Sequence, residues 1–143
     1  EYTGEDGQKH RPVMIHRVVL GSIERFIGVI TEHFAGAFPL WLSPVQVKVL
    51  TVTDRADAYA KELAAALDQK GFRVETDQRN EKIGKKIRET TLEKVPYMLV
   101  VGDRDVENRT VSVRTRGGED LGAMSLEDFA VKLREEVDTK AIM

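Results

Sequence analysis

The sequence predicts an α/β layer fold: a mixed, mostly parallel sheet of four to five strands flanked by three helices. Three observations carry that reading. From Val45 onward, short strand-like runs alternate with helical stripes, as they do in layered α/β domains. Tyr97-Met98-Leu99-Val100-Val101 is apolar without alternation, which marks a strand covered on both faces. Val111 and Val113 then alternate with Ser112 and Arg114, so residues 110–115 predict a half-exposed strand, entered by a short connection and therefore antiparallel to its predecessor.

The elements follow in chain order. Val13-Met14-Ile15 is strand-like, and Ile23, Phe26, Ile27, Ile30 and Phe34 recur at helical spacing over residues 22–34. Phe38-Pro39-Leu40-Trp41-Leu42-Ser43-Pro44 cannot be regular, because each proline fixes φ, lacks an N–H and disfavours helix in the residue before it. The domain boundary is placed there, dividing the chain into 1–43 and 44–143. Residues 47–52 are expected as a strand, followed by a helix with the stripe Ala56, Tyr59, Ala60, Leu63, Ala64 and Leu67, an N-cap at Asp54 and Gly71 in the C′ place. A second strand covers 72–76. Ile83, Ile87 and Thr91 mark the expected buried side of the next helix, which stops before Pro96. Ser125, with carboxylates at Glu127 and Asp128, opens a last helix that buries Leu126, Phe129, Ala130, Leu133 and Val137.

Composition narrows the function classes. A chain of 143 residues holds one compact domain and a small appendage. With 41 % hydrophobic and 32 % charged residues it has the make-up of an ordinary globular protein, which argues against disorder as a whole. The absence of cysteine removes disulfides, thiol catalysis and cysteine-ligated metal from this segment, and fits a cytoplasmic home, with an organellar form as the alternative. No apolar run approaches the roughly 18 residues that span a bilayer, so no membrane partner is expected. Glu1-Tyr2-Thr3-Gly4 leads into no apolar run and is read as a cut point. A net charge of −2 means that any nucleic-acid surface must be local. Between Lys70 and Lys94 eight bases stand against five acids, a local surplus whose bland alternative is a solvated helix face.

In an open α/β sheet, ligands gather beyond the carboxyl ends of the parallel strands. Past the second strand stands Asp77-Gln78-Arg79-Asn80-Glu81-Lys82, and past the third Gly102-Asp103-Arg104-Asp105. Amide, carboxylate and guanidinium are the groups that read base edges, and guanidinium also stacks on them. An antiparallel fourth strand is expected to bring Arg114 back to this rim beside Asp105 and Asn80. Lys82, Lys85 and Lys86, near the start of the second helix, are placed for phosphate. Gly84 inside that helix costs about 1 kcal/mol relative to alanine. A close backbone approach should offset it, a tightly packed strand being the commoner cause and a bound RNA the other.

Two motifs resemble class II aminoacyl-tRNA synthetases. His10-Arg11-Pro12-Val13-Met14-Ile15-His16-Arg17 followed by Leu20-Gly21-Ser22-Ile23-Glu24-Arg25-Phe26 is similar to motif 3 of the threonyl-tRNA synthetase family, and Asp77 to Lys86 to its anticodon-binding domain. Trp41-Leu42-Ser43-Pro44-Val45-Gln46-Val47 and Val95-Pro96-Tyr97-Met98-Leu99-Val100 match as well. The resemblance implies an anticodon-binding domain fold over 44–143, preceded in 1–43 by a strand-helix remnant of the catalytic domain and a linker. It implies that Asn80, Asp105 and Arg114 read the G and U at the second and third anticodon positions of threonine tRNA, with Arg88 and Lys94 in support. Asp105 stands where a longer glutamate is common, and Lys94 where arginine is common.

The same resemblance makes Ser22 and Arg25 part of the ATP and adenylate pocket, and His16 one of three zinc ligands that separate threonine from valine. The full enzyme would use zinc, ATP and magnesium and form a homodimer. Motifs 1 and 2, the other zinc ligands and an editing domain have no counterpart here, so the segment alone is expected to be inactive, with no cofactor at His16. The apolar side of the 22–34 helix is expected to seek cover, either by packing on the α/β domain or by pairing with another copy. Alternatives are an accessory or regulatory protein that reuses the anticodon-binding fold, the corresponding domain of another class II synthetase, and a small flavodoxin-like enzyme. Against the last, Thr53-Asp54-Arg55-Ala56-Asp57 has acids where a phosphate cradle needs glycines.

Overall fold

The computed structural model describes residues 1–142. A small hairpin, β1 (Tyr2–Thr3) with β2 (Lys9–His10), opens the chain. Residues 11–18, which include the expected strand Val13-Met14-Ile15, are irregular and exposed instead. A strand needs a neighbouring strand to take its N–H and C=O groups, and none lies beside these residues. Helix α1 (Ile23–His33) forms where the spacing predicts it, capped by Ser22, whose Oγ accepts the Arg25 N–H at 3.3 Å. Its side chains stay outside any core, and Ile23 and Ile27 are exposed.

The proline-rich stretch after α1 is irregular but not loose. Leu40 is fully buried in the main core, Gln46 Nε2 donates to the Leu40 carbonyl at 2.9 Å, and Arg73 Nε donates to the Ser43 carbonyl at 2.8 Å. The buried Gln46 amide and the exposed Arg73 guanidinium thus satisfy carbonyls that no regular element could use.

The α/β part runs β3 (Val47–Thr51), α2 (Asp57–Gln69), β4 (Val74–Asp77), α3 (Ile83–Leu92), β5 (Tyr97–Val101), α4 (Asp103–Asn108), β6 (Thr110–Thr115), β7 (Asp120–Ser125) and α5 (Leu126–Asp138). The sheet order is β4-β3-β5-β6-β7, with β3 parallel to β4 and β5, and β6 antiparallel to both its neighbours. The strand alternation sorts two faces. Val47, Val49, Tyr97, Leu99, Val101, Val111 and Val113 share one core with α2 and α5, where Tyr97 and Phe129 meet edge to face at 5.6 Å.

Several ends are set by local chemistry. Helix α2 closes in a Schellman motif, with Gly71 at φ +84°, its N–H on the Asp68 carbonyl at 2.8 Å and the Phe72 N–H on Leu67 at 3.1 Å. Its start differs from the expectation. Asp54 lies inside a 3-10 turn, Asp54–Ala56, and Thr53 occupies the cap position, its hydroxyl donating to Asp103 Oδ1 at 3.1 Å. Ser125 caps α5 as expected, accepting the Asp128 N–H at 3.0 Å. The expected buried side of α3 is corrected: Lys86 and Thr90 are buried, Ile83 and Ile87 lie at the flank and Thr91 is exposed.

Candidate nucleic-acid interface

The carboxyl ends of β3, β4 and β5 meet one rim, and a buried lysine ties it. Lys86 is 1 % exposed, and its Nζ donates to the Thr51 carbonyl at 2.9 Å, the Asp77 carbonyl at 3.0 Å and Thr51 Oγ1 at 3.3 Å, with the Asp77 carboxylate at 4.0 Å. This overturns its expected phosphate role, because an ammonium with three donors already placed on buried oxygens has none left for a ligand. Asp77 in turn takes Arg79 Nε at 2.9 Å and Nη2 at 2.6 Å, while the same Nη2 reaches Glu89 at 2.6 Å. The Arg79 hydrogen bond, ahead of every other influence, holds the Asp77 carboxyl below the usual carboxylate range.

With Arg79 folded back, the next residue faces outward. Asn80 is exposed and lines a rim cavity of about 350 Å³ with Thr53, Asp54, Gln78 and Lys86. Lys82 and Arg88 are exposed and enter no ion pair among the described residues, whereas Lys85 is held by Glu81 at 2.6 Å. Phosphate contact by Lys85 therefore requires an exchange of partners.

Past β5 the expected loop is the short helix α4, and Asp105 is its third residue. Asp105 Oδ2 accepts the Gly102 N–H at 3.0 Å, and Oδ1 accepts the hydroxyls of Ser112 at 3.0 Å and Thr110 at 3.4 Å. The carboxylate is thereby pinned against β6 with lone pairs remaining. Ser112 and Thr110 were not anticipated from the sequence. Both lie on the polar side of the alternating strand, which was legible, but the register that sets them beside Asp105 was not.

That register also corrects Arg114. Val100 pairs with Ser112 and Met98 with Arg114, so Arg114 lies about 7 Å down the strand from Ser112 rather than at the rim. It shares the Ser112 face and donates to Asp120 Oδ2 at 2.8 Å. The Gly122 N–H, and after it Arg114, holds the Asp120 carboxyl below its ordinary value. Helix α3 crosses β3 and β4 on this face, and at the other end Val100, Ser112 and Arg114 are half-buried and Ala123 exposed. The outcome is an open half-sheet bordered by α3, with small side chains at its centre, a carboxylate at its top and a guanidinium at its side.

The remaining candidates lie elsewhere. Lys94 sits at the far end of α3 in the left-handed region at φ +60°, and its Nζ donates to the Ala35 carbonyl at the end of α1. Ser22 serves as the α1 cap, and Arg25 is exposed beside it. His16 stands in the exposed stretch before α1, and no three His, Asp or Glu side chains gather to hold a metal among the described residues. Zinc therefore does not fit the residues present. Among the described residues, too, no helix is long and apolar enough to cross a membrane.

Residues 46–136 match the anticodon binding domain family. The chain is 63 % identical over 139 residues to a threonine–tRNA ligase of Acetivibrio thermocellus, covering 97 % of this chain and 22 % of the relative. It is 62 % identical over 141 residues to the threonine–tRNA ligase of Desulforamulus reducens, covering 99 % of this chain and again 22 % of the relative. The chain thus spans about a fifth of the length of these curated relatives. Among solved structures, the RNA binding domain of threonyl-tRNA synthetase from Cryptosporidium parvum Iowa II superposes with a TM-score of 0.76 at 36 % identity, over 81 % of this chain and 29 % of that one.

Proposed function

We propose, from the premise that this chain belongs to the anticodon binding domain family, that it is the tRNA-reading end of a threonine–tRNA ligase. The observation that carries the reading is the open half-sheet beside α3, where Asp105 and Arg114 share one face and Asn80 stands on the adjoining rim. Bases of a splayed anticodon loop are unstacked, so their readers must be spread along the loop rather than gathered at one point. Asp105 offers acceptors to a guanine edge. Arg114 keeps the donors that Asp120 does not use, and Asn80 offers a donor and an acceptor to a second base.

Phosphate contacts fall to Lys82 and Arg88, the exposed cations flanking that path. The longer protein would attach threonine to tRNA using ATP, and this segment would supply grip and selection rather than chemistry. The proposed domain limits are 1–43 and 44–143; the matched family residues support the second part, and Leu40 reaches across the boundary into its core.

Anisotropy titration of a fluorescent hairpin bearing a threonine anticodon tests the reading. Asn80→Ala and Arg114→Ala should each weaken binding by roughly 1–3 kcal/mol, and more for that hairpin than for one with the second and third anticodon bases changed. Equal losses on both hairpins would reduce these residues to general RNA contacts. Affinity of the wild type should fall with added salt, since bound cations release counterions.

The exposed apolar side of α1 belongs, in the same reading, to the interface with the rest of the longer protein. Isolated, this chain should pair through it at high concentration. Ile27→Glu should keep the chain monomeric in sedimentation velocity without lowering the melting temperature, because Ile27 contributes to no core here.

A further inference from the structure

Ser112 stands between the two charged readers on the open half-sheet. It pairs with Val100 of β5 and Ala123 of β7, and Arg114 follows it on the same face of β6. Its hydroxyl donates to Asp105 Oδ1 at 3.0 Å, and the direction of that bond is fixed, because a carboxylate only accepts. Oδ1 also takes the longer Thr110 bond at 3.4 Å, while Oδ2 takes the Gly102 N–H at 3.0 Å. These bonds leave about one of the carboxylate's roughly four lone-pair positions free. The Ser112 hydrogen is likewise committed, so its half-buried oxygen turns only lone pairs toward a ligand.

We infer that Ser112 determines base specificity: held by Asp105 as an acceptor, it joins that carboxylate in reading the donor edge of a guanine and turns adenine away. The inference rests on the tRNA-reading function and adds a base contact to it. A base that touches both Asp105 and Arg114 lies over Ser112, since the register puts the serine between them. Guanine presents two adjacent donors, N1–H and the 2-amino group, and so calls for two acceptors side by side. Asp105 supplies one of them, and Ser112 Oγ, 3.0 Å from Oδ1, supplies the other. Adenine has an acceptor at N1 and no 2-amino group. A free serine donates to that nitrogen, whereas one whose hydrogen is tied to Asp105 cannot.

Ser112→Val and Ser112→Thr test this as a pair, since both suit a strand, share one shape and differ in the hydroxyl. Anisotropy is read on the threonine hairpin and on the same hairpin with adenine for guanine at the second anticodon position, at a temperature where melting curves show every variant folded. Ser112→Val should bind the guanine hairpin roughly tenfold more weakly than wild type and the adenine hairpin equally well, so that the preference for guanine shrinks by the same factor. Ser112→Thr should keep most of that preference. If Ser112→Val retains the preference to within about twofold while Asn80→Ala still weakens binding, the inference is overturned and the function stands. Equal losses for Ser112→Val on both hairpins, or equal losses for the valine and threonine variants, would also overturn the inference alone. A wild type that ignores the hairpin, or binds its guanine and adenine forms alike, would overturn both.

Discussion

Lys86→Met is expected to destabilise the chain by about 3–5 kcal/mol, seen as a lower urea midpoint at unchanged slope. The side chain is long and apolar along its stem, so methionine fills nearly the same volume and the loss is not a cavity effect. What disappears is the ammonium that joins the Thr51 and Asp77 carbonyls at the ends of β3 and β4. Each carbonyl is buried, and an unmet buried acceptor costs about 1–3 kcal/mol. The Asp77 carboxylate, 4.0 Å away, loses its second cation at the same time. Lys86→Ala should cost more, since it adds a cavity under α3. Losses below about 1 kcal/mol for Lys86→Met would show that water reaches these carbonyls once the ammonium has gone. A second readout connects this to the site: with the rim untied, Asn80 loses its fixed position, and hairpin affinity should drop in solutions dilute enough in urea to keep the chain folded.

The Lys86 result also explains what the sequence could and could not say. Residues with one strong signature were legible: the apolar run of β5, the alternation of β6, the α5 cap at Ser125, and the α2 stop at Gly71 all took the predicted form. The run Ile83-Gly84-Lys85-Lys86-Ile87 carries two stripes at helical spacing, one with two isoleucines and one with a lysine. Hydrophobicity favours the first. The choice was settled instead by two buried strand-end carbonyls that the Lys86 ammonium meets from α3, a tertiary demand invisible to periodicity. Register was the second hidden quantity. Placing Arg114 at the rim required the connection after β5 to be short, whereas Asp103–Asn108 coils into α4 and the pairing of Val100 with Ser112 leaves Arg114 further along the strand. Helix α4 was hidden because five polar and charged residues with one valine have no stripe to detect. Strand β7 was hidden because Gly122 interrupts its alternation, and a bulge at Val113/Arg114 shifts its partner's phase. The family likeness named Asn80, Asp105 and Arg114 without geometry; the register set Asp105 and Arg114 along one face, and Asn80 stays on the adjoining rim.

Asp77→Asn should cost about 3 kcal/mol near neutral pH, with the cost shrinking in acid. The side chain is 4 % exposed, so its charge is not spread into water, while Arg79 is 55 % exposed, which screens part of the pair and places the expectation at the low end for a buried ion pair. Arg79 donates twice through its side chain and once through its backbone N–H at 3.1 Å, and those bonds, more than the charge of Lys86, depress the Asp77 pKa in the folded state. A depressed carboxylate pKa contributes stability that is complete above the unfolded value of about 4 and lost as pH falls through the folded value. The gap between wild type and Asp77→Asn must therefore be widest around neutrality, begin to narrow below about pH 4 and close only once the pH has fallen below the depressed folded value, where the wild-type carboxyl is protonated and uncharged like the asparagine. A gap that stays constant down to low pH would mean that shape, not charge, holds the corner. The same substitution releases Arg79 to Glu89 alone, and since Arg79 turned inward is what leaves Asn80 facing the cavity, hairpin binding should weaken for Asp77→Asn even where the fold remains intact.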